Sequence, residues 1–121
     1  MGRRRKSLSV ENTFGHDLTT IEQCLNELPL LVQQLVTRLR RIDDDYKIVK
    51  LFVKIKFSDF TSTTIERSTL SVSMESLKEL CKEAHARKNL PVRLLGVGVS
   101  FVDLREDDVF KQLDLFNKTH D

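Results

Sequence analysis

Residues 46–60 read YKIVKLFVKIKFSDF, and the fold turns on how that stretch alternates. Val49, Leu51, Val53, Ile55 and Phe57 fall on one side of an extended chain. Ile48, Lys50, Phe52, Lys54, Lys56 and Ser58 fall on the other, because successive side chains of a strand point to opposite faces. One side is made for burial; the other offers three lysines and a hydroxyl to water. Such alternation marks an antiparallel sheet with one covered and one open face.

Upstream, SLSVENT at 7–13 alternates with Leu8 and Val10 on one side and reads as a first strand. Gly15 and Asp17 punctuate it, and Thr19, three residues before Glu22, suggests a capping box. Ile21, Leu25, Leu28, Val32, Leu35 and Leu39 then recur at helical period. Pro29 lies inside that stripe and is expected to kink or restart the helix, since it removes a backbone hydrogen bond and crowds the preceding turn. The aspartates at 43–45 mark the exit loop.

Downstream, a tight connection at 59–62 leads into TTIERSTLSV, residues 63–72, a threonine-rich strand. Ser73 caps a second helix whose apolar face is Met74, Leu77, Leu80, Cys81 and Ala84. Glu83 is spaced to support Arg87. After Asn89 and Pro91, VRLLGVGVSFVDL at 92–104 puts Leu95, Val97, Val99 and Phe101 on one face and Gly96, Gly98 and Ser100 on the other. The order β-α-β-β-α-β predicts an α+β fold of the split βαβ (ferredoxin-like) kind. Its four-stranded, mostly antiparallel sheet carries two helices on one face.

The 121 residues make one domain, and 40% hydrophobic with 31% charged residues excludes global disorder. A net charge of +2 does not by itself announce a nucleic-acid binder. Its distribution says more: RRRK at 3–6, lysines through 47–56, and acidic residues at Asp103, Glu106, Asp107 and Asp108. Cys24 and Cys81 lack metal or redox spacing and read as small buried apolar residues of a reduced, cytoplasmic protein. No apolar run approaches the roughly 20 residues of a membrane span, and the basic start lacks a signal-peptide core, so no membrane is expected. Met1 and Gly2 run directly into folded-looking sequence, as in a chain cut from a longer one.

Catalytic chemistry finds no footing. Asp43, Asp44 and Asp45 sit in a turn, and His16, His85 and His120 have no partners at ligand or triad spacing. GVGVS at 96–100 is followed by no helix and is no phosphate loop. No catalytic residue, metal ligand or cofactor is expected here. The core is complete by about Val102. A charged spacer at 104–111 then leaves Leu113, Leu115 and Phe116 over. Either they fold back with Val109 as a short helix, or they are held for a partner.

QLDLF at 112–116 resembles the pentapeptide by which bacterial replication proteins grip the sliding clamp. RKSLSVENTFGHDL at 5–18, VKIKFSDFTSTTIER at 53–67 and PVRLLGVGVSFVDL at 91–104 together resemble the little-finger domain of bacterial DNA polymerase IV, a Y-family translesion polymerase. The likeness covers 5–116. It implies a basic linker at 1–6, a little finger at 7–103 and a tail at 104–121. It implies an open sheet face laid against template–primer duplex DNA of any sequence, through phosphates and without chemistry. The residues it assigns to DNA are Arg5, Lys6, Ser7, Ser9, Lys50, Lys54, Lys56, Thr61, Thr63, Thr64, Arg93, Gly96, Gly98 and Ser100, with Arg3 and Arg4 in the linker. The glycines would let backbone N–H groups approach phosphates. Gly98 departs from the polar or basic residue frequent in the family, and Glu11 and Glu66 depart from a basic surface.

In the tail, the resemblance gives Gln112 the cleft rim of the beta clamp and Leu113 the start of the anchor. Leu115 and Phe116 take the deep pocket, and Asp114 faces outward. Burying three such side chains yields roughly 5–9 kcal/mol gross. Ordering the tail offsets several of these, so the peptide alone should bind at about micromolar strength. The polymerase's own core, with its magnesium, would lie upstream. Neutralising about three to five phosphates predicts a log–log salt slope of roughly −3 to −4.5. Two other classes share the topology: an RNA-binding module, for which sheet aromatics beyond Phe52 are wanting, and a regulatory or dimerising domain.

Overall fold

The structure, a computed structural model, describes residues 5–42 and 45–103. Six elements follow in order: β1 (Arg5–Leu18), α1 (Ile21–Leu39), β2 (Tyr46–Phe57), β3 (Ser62–Ser68), α2 (Met74–Ala86) and β4 (Val92–Asp103). The strands form one sheet in the order β1-β4-β2-β3, with every neighbouring pair antiparallel. Each β-α-β unit is split by a strand of the other: β4 lies between β1 and β2, and β2 between β3 and β4. This is the architecture that the order of elements predicts.

Alternation accounts for the covered face. Leu51 lies opposite Val99, Val53 opposite Val97 and Ile55 opposite Leu95, and all six are fully buried. Leu28, Leu31 and Leu35 of α1 and Leu77, Leu80 and Ala84 of α2 complete that core. Cys24 and Cys81 are free thiols buried in it, as their spacing suggested. Burial pushes the Cys24 thiol up to about 11 and the Cys81 thiol up to about 12.

The buried stripe of α1 is Cys24, Leu28, Leu31, Leu35 and Leu39, while Ile21, Leu25 and Val32 flank it half-buried. The helix runs unbroken through Pro29; the restart expected there does not occur. Pro29 faces solvent, where the carbonyl it leaves without a donor can bond water. The stripe on the opposite side holds both halves of the helix to the sheet. The capping box lies one residue later than expected, with Thr20 accepting from the Gln23 N–H and the Gln23 side chain accepting from the Thr20 N–H. Gly15 and Asp17 do not end β1, which extends to Leu18. In α2, Ser73 caps as predicted. Glu83 is paired not with Arg87 but with Arg67 of β3, which also binds Glu79.

A bulge alters one face assignment. In β2, Ile48 lies opposite Phe101 and Lys50 opposite Ser100, so Val49 is an extra residue. Parity flips there. Ile48 turns to the core instead of the open face, and Lys47, opposite Val102, takes the open side.

Candidate nucleic-acid interface

Both helices pack on one side of the sheet, and among the described residues no element covers the other side. The register lays out that open face in rows running β1, β4, β2, β3. They are Ser7–Ser100–Lys50–Ser68, then Ser9–Gly98–Phe52–Glu66, Glu11–Gly96–Lys54–Thr64 and Thr13–Leu94–Lys56–Ser62. Beyond the first row, Arg5 and Lys47 flank Val102. Lys54 and Lys56 are adjacent rungs, about 7 Å apart at the usual strand rise. Phe52 interrupts the ladder between Lys50 and Lys54.

Several residues proposed from the sequence do stand on this face: Arg5, Ser7, Ser9, Lys50, Lys54, Lys56, Thr64 and Ser100. Lys50 Nζ is 2.9 Å from Glu66 Oε2, which gives that acidic residue a place. An exposed pair of this kind is worth about 0–1 kcal/mol, little enough for a phosphate to displace the carboxylate. Lys54 has no carboxylate partner among the described residues.

Other proposed residues are placed differently. Lys6 lies opposite Phe101 on the helix side and reaches Asp103 Oδ2 at 3.3 Å. Thr63 also lies on the helix side, opposite Ile55, where its hydroxyl accepts a 2.6 Å bond from Arg87, the C-cap of α2. Thr61 sits in the β2–β3 turn and donates both its hydroxyl, at 2.6 Å, and its N–H, at 3.0 Å, to Asp59. Those bonds, aided by Lys88 at 3.1 Å, hold the Asp59 carboxyl down at about 2.

The glycines are not open to a phosphate in the way expected of them. β4 is an interior strand, so the backbone groups of Gly96 and Gly98 belong to ladders on both sides. The Phe52 ring lies on Gly98: a Cβ there would collide with it and with the Leu8 carbonyl. Gly98 thus serves as the seat of an aromatic ring. At Gly96 a Cβ would stand 3.1 Å from the Glu11 side chain. Arg3, Arg4 and residues 112–116 lie outside the described residues.

One feature of this face was missed in the sequence. Phe60, in the β2–β3 turn, is 61% exposed and has a positive φ of 69°. The Arg93 guanidinium lies 4.7 Å and the Lys56 ammonium 5.6 Å from its ring centroid. The signal was the turn FSDF itself, whose aromatic has no place in either alternating face. Among the described residues no group of His, Cys, Asp and Glu could hold a metal ion, and no helix is long and apolar enough to cross a membrane.

Among the described residues the sheet thus presents one uncovered, lysine-bearing face on a two-helix support. The chain belongs to the impB/mucB/samB family, as its C-terminal domain, with the match running from residue 5 to 115. It is 49% identical over 113 residues to DNA polymerase IV of Ectopseudomonas mendocina (strain ymp), covering 93% of this chain and 32% of that protein. It is 47% identical over 114 residues to DNA polymerase IV of Pseudomonas syringae pv. tomato, covering 94% and 32%. The chain therefore spans about a third of these curated relatives.

Among solved structures it is similar to the little finger domain of PolIV in complex with the beta-clamp processivity factor. The TM-score is 0.72 at 28% identity, over 78% of this chain and 86% of that one. The Dbh DNA polymerase post-insertion binary complex shares the fold, with a TM-score of 0.63 at 14% identity, over 80% of this chain and 29% of that one. The likeness to a polymerase little finger, drawn from three sequence stretches, is borne out.

Proposed function

We infer that this chain is the non-catalytic little finger of a translesion DNA polymerase IV, holding template–primer duplex on its open sheet face and tethering the enzyme to the sliding clamp. The observation that carries the reading is the uncovered face. Lys50, Lys54 and Lys56 stand there among Ser7, Ser9, Thr64, Ser62 and Ser100, with no element of the described residues above them. Cations and hydroxyls meet phosphate oxygens, and phosphate contacts position a protein without reading sequence. A polymerase that slides along any template needs that indifference.

The clamp half of the reading rests on QLDLF at 112–116 and on a similar domain solved together with a beta clamp. Leu113, Leu115 and Phe116 are the proposed anchors, Gln112 the rim contact and Asp114 the outward residue. DNA held by the sheet and a ring threaded on the same DNA reinforce each other through effective concentration. Nucleotidyl transfer, and the magnesium that supports it, are assigned to the remaining two thirds of the polymerase, and the site of action to the cytoplasm.

The test is duplex binding by fluorescence anisotropy across a salt series, on two unrelated sequences. Equal affinities and a slope of about −3 to −4.5 are expected, with Lys54→Gln flattening the slope by about 0.9. Sequence preference, or a flat salt response, refutes the reading. For the tail, Leu115→Ala with Phe116→Ala should abolish retention on immobilised clamp. Undiminished retention refutes that part.

A further inference from the structure

We propose that Phe60 is a positioning residue that holds Lys56 and Arg93 together as a two-cation seat for a backbone phosphate, at the turn end of the open face. The inference rests on the DNA-binding reading above and names where along the face the firmest grip lies.

Three independent features converge on that corner. The first is backbone. Phe60 takes a left-handed conformation, φ 69°, uncommon for a bulky residue and a pointer to function when the surroundings enforce it. Here they do. The Phe57 N–H donates to the Thr61 carbonyl at 2.8 Å, and the Phe60 N–H to the Phe57 carbonyl at 2.9 Å. Asp59 accepts from the backbone and side chain of Thr61, and Lys88 ties Asp59 to the region after α2 at 3.1 Å. A turn fastened this way displays its aromatic ring to solvent instead of folding it into the core.

The second feature is a bulge. Lys56 lies opposite Leu94 and Phe57 opposite Val92, so Arg93 is the extra residue on β4. Bulges re-aim side chains, and this one puts the Arg93 guanidinium 4.7 Å from the Phe60 centroid. The third is charge. The Lys56 ammonium stands 5.6 Å from the same centroid. Among the described residues neither cation has a carboxylate partner, whereas Lys50, Lys88 and Arg67 each do. Asp59, the nearest acid in sequence, is occupied by Lys88 and Thr61.

Two long side chains in water sample many rotamers, and fixing them on a ligand costs entropy. A ring that attracts both removes part of that cost before the ligand arrives, while leaving the N–H donors of the guanidinium edge unspent. An anion spanning both is bound more tightly than by either cation alone. On a duplex lying along the open face, that anion is a phosphate.

The experiment uses the 121-residue chain and a short labelled duplex, with affinity read by anisotropy at about 50 to 200 mM salt. Phe60→Leu keeps apolar bulk and removes the ring. It should weaken binding on the order of threefold to tenfold, without lowering the melting temperature. Phe60→Trp should restore binding, because indole attracts cations best. In a Lys56→Gln, Arg93→Gln background, Phe60→Leu should have no further effect.

If Phe60→Leu weakens binding equally in that background, the ring acts by itself and the positioning role is overturned. If Phe60→Leu binds as the parent does while Lys54→Gln is weakened, this inference fails and the DNA-binding reading stands. If the parent chain shows no salt-dependent duplex binding, both fall.

Discussion

Replacing Gly98 by alanine tests how the open face is built. A Cβ there would collide with the Phe52 ring, standing 2.6 Å from its Cε1, and would lie 2.8 Å from the Leu8 carbonyl oxygen across the ladder. The ring can swing away. The carbonyl cannot, because Leu8 is held in register opposite Val99. Displacing a half-buried phenylalanine re-exposes roughly 100 Å² of apolar surface, or about 2.5 kcal/mol. Easing the strand contact adds roughly 1 kcal/mol.

Gly98→Ala should therefore cost about 3–4 kcal/mol, measured by urea unfolding followed by circular dichroism, since the chain has no tryptophan. Phe52→Ala removes the obstacle, so in that background Gly98→Ala should cost only about 1 kcal/mol. The difference is the coupling of ring and seat. Equal costs in both backgrounds would refute the packing account of this glycine.

Three further outcomes are expected. Above its ordinary value of 9.0 each thiol of the unfolded chain loses a proton that the folded chain keeps, to about 11 at Cys24 and 12 at Cys81. Stability is thus intact below about pH 9 and falls as pH rises, by about 2–3 kcal/mol between pH 8 and pH 10 for the two thiols. Denaturant midpoints at the two pH values, and their convergence in a Cys24→Ala, Cys81→Ala variant, check this. Asp59 has its carboxyl lowered to about 2, so the turn it organises should persist as pH drops below 3.8 and loosen only near pH 2. The Thr61 amide resonance should report that titration, and Asp59→Asn should remove it. Leu28→Ala, at a fully buried site between α1 and the sheet, should cost about 2–5 kcal/mol by urea unfolding.

Much of the fold was legible because alternation and helical period are local signals. The stretch 46–60 announced a half-buried strand, and Leu51, Val53, Ile55 and Phe57 are buried as that reading requires. The bulge at Val49 was not legible, since an extra residue is defined only against a partner strand. One unpaired position exchanged Ile48 for Lys47 on the open face. That Pro29 does not restart the helix has a related reason: local rules disfavour it in a helix interior, but packing of Leu28, Leu31 and Leu35 outweighs one lost hydrogen bond. At the candidate site, the lysines could be placed from parity alone. That Thr63 turns to Arg87, that Glu66 meets Lys50, and that Gly98 lies under Phe52 depend on register and on other elements. Phe60 escaped because its role comes from a turn conformation and a bulge at the far end of the chain.

The sheet order has a consequence for synthesis on the ribosome. Of the described strands β4 is made last, yet it sits in the interior between β1 and β2. Until it emerges, the long β1 has no neighbour, and β2 has only β3. The nascent domain must therefore wait with two bare strand margins, each able to recruit a foreign chain. Closure is a single late event, set by the arrival of residues 92–103.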